Sequence, residues 1–325
     1  MARWAGVSCR ALLALAVPAG GEDLAAGAPL SGKVVLFHAG SLAAPLRQVS
    51  ELFEKKHPGV KVLAEASGSR DSARKILDLG RACDVLALAD YRVAEELLMP
   101  RHAEFNIRFA SNEMAIAFSE RSRGARAITE QNWPEVLLSS GVAFGRSDPN
   151  RDPCGYRTEM VFQLAERHYR LPGLAGKLMA KDARYIRPKE TDLLALLESG
   201  EIDYLFIYRS VVRQRRLRSV AMPDAVNLKD PGLNKDYAKA QARITGAAPG
   251  EFVTLKGEAI AYSVTIPLGA ANRPAAEAYV ALMLSSEGRA VMAANGQEPL
   301  RPALAGRADK VPAALRRFCR QEALR

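Results

Sequence analysis

The sequence predicts an α/β protein built from two strand–helix units. Three observations lead there. From residue 33 onward, apolar runs of strand length alternate with amphipathic runs of helix length. The alternation breaks at 105–119, where strand-like residues follow one another without a long helix. It resumes in a second unit over about 112–255 and returns to the first pattern after 258. The 325 residues suffice for two domains, and 48% hydrophobic with 25% charged residues is the balance of a chain with a substantial core. That composition excludes a collagen, a coiled-coil rod, a disulfide-dense miniprotein and a largely disordered chain.

The elements follow in order. KVVLFH, 33–38, is nearly continuous in apolar residues, as in a strand buried on both faces. A helix follows, with Leu42, Leu46, Val49, Leu52 and Phe53 on one face, and stops at His57-Pro58-Gly59. Strand 60–65, helix 70–79, strand 83–89 and helix 91–98 repeat the unit and predict a parallel sheet flanked by helices. Beyond the irregular 105–119 block come helix 132–139, strand 142–145, a Pro/Gly/Asp loop and helix 157–169. Helix 191–200 starts at Thr191 and stops at Gly200, and strand 202–210 leads into arginine-rich surface. Strand 258–267, helix 272–284 and a helix and turn over 291–302 close the pattern.

The first residues read as a short secretory leader: Arg3 and Arg10 precede the apolar run Ala11–Val17 and then small residues. That run is shorter than the roughly 20 residues a membrane span needs. Cysteines 9, 83, 154 and 319 form no CxxC, and four histidines form no cluster, so a structural zinc site is not expected. Cys9 does not follow the apolar run as a lipidated cysteine would. A net charge of +10 points to an anionic partner without choosing among nucleic acid, membrane and small anion. The run Arg213, Arg215, Arg216 and Arg218 lacks interleaved aromatics or a reading helix, so it reads as a solvated face. Nucleotide-loop and common hydrolase motifs do not occur.

The chemistry concentrates at loop-to-helix junctions. Gly40-Ser41 and Gly68-Ser69 share one local grammar: strand, small residues, serine, helix. Each serine has two readings. It is a helix cap, or its hydroxyl joins the unpaired N–H groups of the helix start in holding an anion at the carboxyl edge of the sheet. Asp152-Pro153-Cys154-Gly155-Tyr156-Arg157 is a third junction, with Asp152 suited to capping. Cys154 near a helix start would have a lowered pKa if exposed. His38 ends a strand beside the same edge.

Several blocks together resemble the tungstate/molybdate-binding proteins of ABC importers. They are VLFHAGSLAAPL, EASGSRDSARKI, CDVLALAD, SDPNRDPCGYRTEMVFQLAERHY, KETDLLALLESGEIDYLFIYRSV, AYSVTIP and NGQEPLRP. They occur in the family's order across nearly all of residues 32–302 and are most similar to the tungstate-binding WtpA branch. The resemblance implies a periplasmic-binding-protein fold, two α/β lobes joined by a two-crossover hinge around an oxyanion cleft. It implies that Ser41, Ser69 and Tyr208 bind the anion and that Asp152 and Glu190 approach the metal centre, completing a six-coordinate shell. Glu190 is placed by its spacing of 18 residues before Tyr208. The stretch between Tyr169 and Pro188 is short and basic beside some members of the family.

The expected organisation is a leader over 1–30, lobe one over 31–111 plus 260–305, lobe two over 112–259, and a C-terminal tail over 306–325. The expected activity is capture of tungstate or molybdate, without catalysis and without a cofactor; the alternatives are capture of another tetrahedral oxyanion such as sulfate, or a cleft enzyme using Cys154 or His38. The expected partners are an ABC permease and its ATPase, with no nucleic acid. Membrane contact would come through the permease or an amino-terminal anchor. A monomer in the periplasm or another extracytoplasmic space is expected.

Overall fold

A computed structural model describes Met1 and residues 29–321, so most of the expected leader, and residues 322–325, lie outside the described residues. The first stretch runs β1 (Gly32–Ala39), α1 (Ala43–Lys56), β2 (Val60–Ser67), α2 (Ser69–Leu77), β3 (Val85–Leu88), α3 (Tyr91–Leu97) and β4 (Ile107–Ser111). The second runs β5 (Met114–Phe118), α4 (Trp133–Leu138), β6 (Phe144–Ser147), α5 (Pro153–Tyr169), α6 (Leu174–Asp182), β7 (Ile186–Arg187), α7 (Leu194–Ser199), β8 (Tyr204–Tyr208), α8 (Arg209–Arg215) and β9 (Arg218–Val220). Short helices α9 (Asp224–Asn227) and α10 (Asn234–Tyr237) precede a hairpin of β10 (Gln241–Thr245) and β11 (Phe252–Lys256). The chain ends with β12 (Ala261–Thr265), α11 (Arg273–Leu284), α12 (Ser286–Ala294), β13 (Glu298–Ala305), α13 (Ala313–Arg316) and β14 (Cys319–Gln321).

Two sheets result. One has the order β14-β13-β4-β12-β3-β1-β2 and the other β7-β6-β8-β5-β9. The chain passes from the first to the second between Ser111 and Met114 and rejoins the first at β12. The first sheet is mixed, where the alternation predicted a parallel one: β1 runs parallel to β2 and β3, but β12 is antiparallel to β3 and β4. A returning strand reaches the sheet from the other unit, not through a flanking crossover helix, so the rule that makes such crossovers parallel does not bind it. The stretch read as a tail contains β14, which extends this sheet beside β13.

The apolar pattern explains the layers. β3, β5 and β8 are buried along their whole length, as continuous apolar runs require. In the first unit Phe53 packs edge-on against Tyr279 at 5.3 Å. In the second, Trp133, Phe144, Phe162 and Phe206 form a T-shaped cluster with centroids 5.0–6.2 Å apart. The helix predicted at 157–169 begins at Pro153, capped by Asp152. Helix α6 and the β10–β11 hairpin had no counterpart in the sequence reading. Their periodic runs are short and interrupted by Gly and Pro.

The two units are closed upon one another. The N–H groups of Arg70 and Asp71 donate to the Arg151 carbonyl at 3.1 and 3.3 Å, and Arg151 pairs with Asp71 at 2.8 Å. Arg70, fully buried, donates to Asn150 O at 3.2 Å and to Thr245 O, while Arg74 donates to Gly246 O at 2.5 Å. Two glycines separate packing within a unit from packing between units. A Cβ at Gly155 would lie 2.4 Å from Ser147 O, inside the second unit. A Cβ at Gly68 would lie 2.3 Å from Arg151 O, across the interface. Gly155→Ala is therefore expected to lower unfolding stability by about 1–3 kcal/mol, the usual cost of overpacking. Gly68→Ala is expected to leave the melting temperature nearly unchanged and to enlarge the radius of gyration in small-angle scattering. An unchanged radius would show that this interface yields without opening.

Candidate functional site

Ser41 lies in a single 3-10 turn, Gly40–Leu42, directly after β1, and Ser69 is the first residue of α2 after β2. Both are fully buried at the carboxyl edge of the first sheet. Neither side chain caps its helix, because the capping positions belong to Ala39, Leu42 and Gly68. The capping alternative therefore fails for both serines. The Ser69 hydroxyl accepts from Ala89 N at 2.9 Å, so its own proton remains to be donated. Ser41 Oγ meets the Tyr262 hydroxyl at 2.9 Å, and that hydroxyl accepts from Asn112 Nδ2 at 2.9 Å.

Tyr208 ends β8 and is fully buried. Its hydroxyl oxygen accepts from Arg157 Nη1 at 2.8 Å, which again leaves the O–H as a donor. The same guanidinium group donates to Ala89 O at 2.7 Å and pairs with Asp90 at 3.0 Å. Tyr156 donates to Asp90 at 2.6 Å. Asp90 belongs to the first unit, whereas Tyr156 and Arg157 sit on α5 of the second, so this ion pair also bridges the units. Burial pushes the Tyr208 hydroxyl well above its usual pKa, so it is neutral and keeps its proton.

The two carboxylates come from the second unit. Asp152 caps α5 by accepting from Cys154 N at 3.3 Å, and its other oxygen accepts from Glu190 N at 3.0 Å. Glu190 opens the 3-10 turn Glu190–Leu193 that leads into α7. Glu190 is 1% exposed, and neither carboxyl oxygen has a hydrogen-bond partner among the described residues. Burial raises its pKa well above the usual carboxylate range, and the Asp152 charge raises it further. Burial also raises Asp152, against the pull of its hydrogen-bond donors.

The structure brings these groups together across the interface. A Cβ at Gly40 would meet Glu190 Oε1 and Oε2 at 3.2 and 3.3 Å and Thr191 Oγ1 at 2.9 Å. A Cβ at Gly68 would meet Asp152 Cβ at 3.2 Å. The glycine before each serine thus lets one carboxylate approach the edge of the first sheet. The Tyr208 ring of the second unit packs on the Tyr262 ring of the first with centroids 5.8 Å apart.

The other candidates stand apart. Cys154 is fully buried and burial pushes its thiol well up, the reverse of the lowered value that exposure would have given. His38 is buried against Ala39 O at 2.8 Å, and burial lowers its pKa. Arg213 and Arg215 on α8, Arg216 after it and Arg218 on β9 form the arginine run at the surface. Sequence reasoning did not single out Asn112, Tyr262, Asp90 or Arg157. Arg157 stands within DPCGYR, but only the fold reveals that it faces Tyr208. Among the described residues no cluster of three or more His, Cys, Asp and Glu could hold a metal ion. No described helix is long and apolar enough to cross a membrane.

Residues 34–298 match the family model of bacterial extracellular solute-binding proteins. An uncharacterised solute-binding protein of Petrotoga mobilis is 44% identical over 290 residues, covering 89% of this chain and 90% of that protein. The molybdate/tungstate-binding protein WtpA of Pyrococcus abyssi is 39% identical over 302 residues, covering 85% and 87%. A solved periplasmic molybdate-binding protein of Azotobacter vinelandii superposes with a TM-score of 0.61 at 17% identity, covering 81% of this chain and 98% of its own. That likeness shows a shared bilobal α/β fold of the periplasmic-binding-protein kind.

The raised carboxyls make stability depend on pH. The native Glu190 carboxyl holds its proton more tightly than the unfolded one. Its contribution is complete below the ordinary carboxylate range and is lost as pH rises toward the raised native value. In oxyanion-free buffer, wild-type stability relative to Glu190→Gln should therefore fall with rising pH, by at most about 1.4 kcal/mol per pH unit. Urea unfolding of both proteins between about pH 5 and pH 8 checks this. Parallel curves would show that the carboxyl titrates normally.

Proposed function

The chain belongs to the bacterial extracellular solute-binding protein family and is homologous to the molybdate/tungstate-binding WtpA proteins, and on that premise we propose that it captures tungstate and/or molybdate between two lobes and delivers it to an ABC permease with its ATPase. The lobes of this reading are 31–111 with 260–305 and 112–259, hinged at the two chain crossings, in a protein that works outside the cytoplasm. Ser41, Ser69 and Tyr208 donate hydrogen bonds to the oxygens of the anion. Asp152 and Glu190 supply oxygens to its metal centre.

The observation that carries the reading is Glu190, a buried carboxyl group with neither oxygen hydrogen-bonded among the described residues, set against Gly40, the neighbour of Ser41 in the chain. Donors alone suit any tetrahedral oxyanion. A carboxylate beside sulfate, which carries no proton to donate, adds only repulsion. A large high-valent metal centre accepts further oxygens, so the same carboxylate becomes a ligand. A bare cation is a poorer match, because it would require more oxygens from the protein than two side chains supply. An oxyanion brings its own.

Calorimetric titration with tungstate, molybdate, sulfate and phosphate tests the proposal. Tungstate and molybdate should bind, with sulfate and phosphate far weaker. Ser41→Ala or Ser69→Ala should weaken binding by about 10- to 100-fold, the range for a hydrogen bond to a charged group. Asp152→Asn combined with Glu190→Gln should remove much of the preference for tungstate over sulfate. X-ray absorption at the tungsten edge should count six oxygen neighbours. Four short, equal tungsten–oxygen distances with no further shell would refute metal coordination by the carboxylates.

A further inference from the structure

We propose that Asn112 is a positioning residue that fixes the donor direction of the Ser41 hydroxyl from the first chain crossing, an inference that rests on the proposed oxyanion site. Asn112 is 4% exposed and lies between β4 and β5, where the chain leaves the first sheet for the second. Its carboxamide is tied on both sides. Oδ1 accepts from Glu113 N at 2.9 Å and from Ser210 N at 3.3 Å. Those two backbone donors set the amide orientation, because a flipped amide would point its NH₂ group at them. Nδ2 therefore donates, to Ser210 Oγ at 2.8 Å and to the Tyr262 hydroxyl oxygen at 2.9 Å.

The polarity passes on. Tyr262 is fully buried, and its hydroxyl has one proton. With the oxygen already accepting from Asn112, that proton is offered to Ser41 Oγ, 2.9 Å away. Ser41 then accepts from Tyr262 and keeps its own proton for the cleft. The opposite arrangement would leave the buried Tyr262 O–H without an acceptor, which is costly. Asn112 thus does for Ser41, through Tyr262, what Ala89 N does directly for Ser69 and Arg157 does for Tyr208. It also holds Ser210 of α8 in one lobe and Tyr262 of β12 in the other. A hinge rotation that separated Ser210 from Tyr262 would break one arm of the amide, tying the polarity of Ser41 to hinge geometry.

The test is a double-mutant cycle read by tungstate titration. Asn112→Asp keeps the shape and the acceptor for the two backbone N–H groups but replaces the NH₂ group by an acceptor. Tyr262 then donates to the introduced carboxylate, Ser41 donates to Tyr262, and the cleft loses a donor. Binding should weaken at least as much as in Ser41→Ala, by about 10- to 100-fold, and Ser41→Ala should cost nothing further on that background. Should Asn112→Asp fail to fold, Tyr262→Phe serves, since it removes the linking hydroxyl without adding charge. The cost of Ser41→Ala should then be smaller than in wild type. The relay is overturned if Ser41→Ala costs the same factor in all backgrounds, or if Asn112→Asp binds as wild type does. A wild-type protein that does not bind tungstate overturns the oxyanion reading itself, and the relay with it.

Discussion

The closed arrangement of this molecule turns on one constraint: a carboxyl group, Glu190, is buried between two lobes, and among the described residues neither of its oxygens meets a donor within hydrogen-bond geometry. Isolated burial of an ionised carboxylate costs far more than any single hydrogen bond returns, so the group must bind a proton or an electrophile. Its near neighbour is Asp152, whose oxygens accept from Cys154 N and Glu190 N and whose charge, together with burial, favours the protonated form of Glu190. Gly40 permits the approach, since a side chain there would press on the carboxylate oxygens. In the proposed reading a bound anion completes the bonding of Glu190.

Around the carboxylates the fold makes hydroxyl groups directional. A buried hydroxyl can accept or donate, and a site for anions needs the proton turned inward. In the proposed reading each anion-binding hydroxyl has a neighbour that occupies its oxygen: a backbone N–H for Ser69, a guanidinium group for Tyr208 and, through the Asn112 relay, the Tyr262 phenol for Ser41. Arg157 has a second effect. Its ion pair with Asp90 joins α5 to the first lobe, so the group that orients Tyr208 also holds the lobes together. Arg70 and Arg74 donate across the interface to the carbonyls of Asn150, Thr245 and Gly246. These contacts exist only when the lobes meet.

The alternation of strands and helices, and the break in it, were legible because buried strands are continuous apolar runs and the lobe crossing lacks a helix. Ser41 and Ser69 were legible as junction residues, but their bonding was not. Capping is local and can be read from spacing, whereas Tyr262 is 221 residues from Ser41. Arg157, Asp90 and Asn112 escaped for the same reason, as each acts on a residue far along the chain. Asp152 was correctly read as a cap, which describes one of its oxygens, while the bond from Glu190 N lies 38 residues away. The lowered thiol pKa expected of an exposed Cys154 depended on exposure that spacing cannot reveal; the residue is buried with its thiol toward Phe206 O, and burial raises the pKa instead.

The division of groups between lobes has a consequence for selectivity. Both serines belong to the first lobe, and both carboxylates and Tyr208 to the second. In the proposed reading, an anion that reaches the serines first meets only donors, which serve sulfate and tungstate alike. The carboxylates arrive when the lobes close. For sulfate, closure brings like charge against like charge in a medium that screens it poorly. For tungstate or molybdate, closure forms bonds to the metal centre. Discrimination then belongs to the closing step and not to the encounter, and the interlobe contacts of Arg70, Arg74, Asp71 and Arg157 add the same increment to closure for every anion. Their strength sets how tightly all ligands are held, while the two carboxylates set which ligand makes closing favourable.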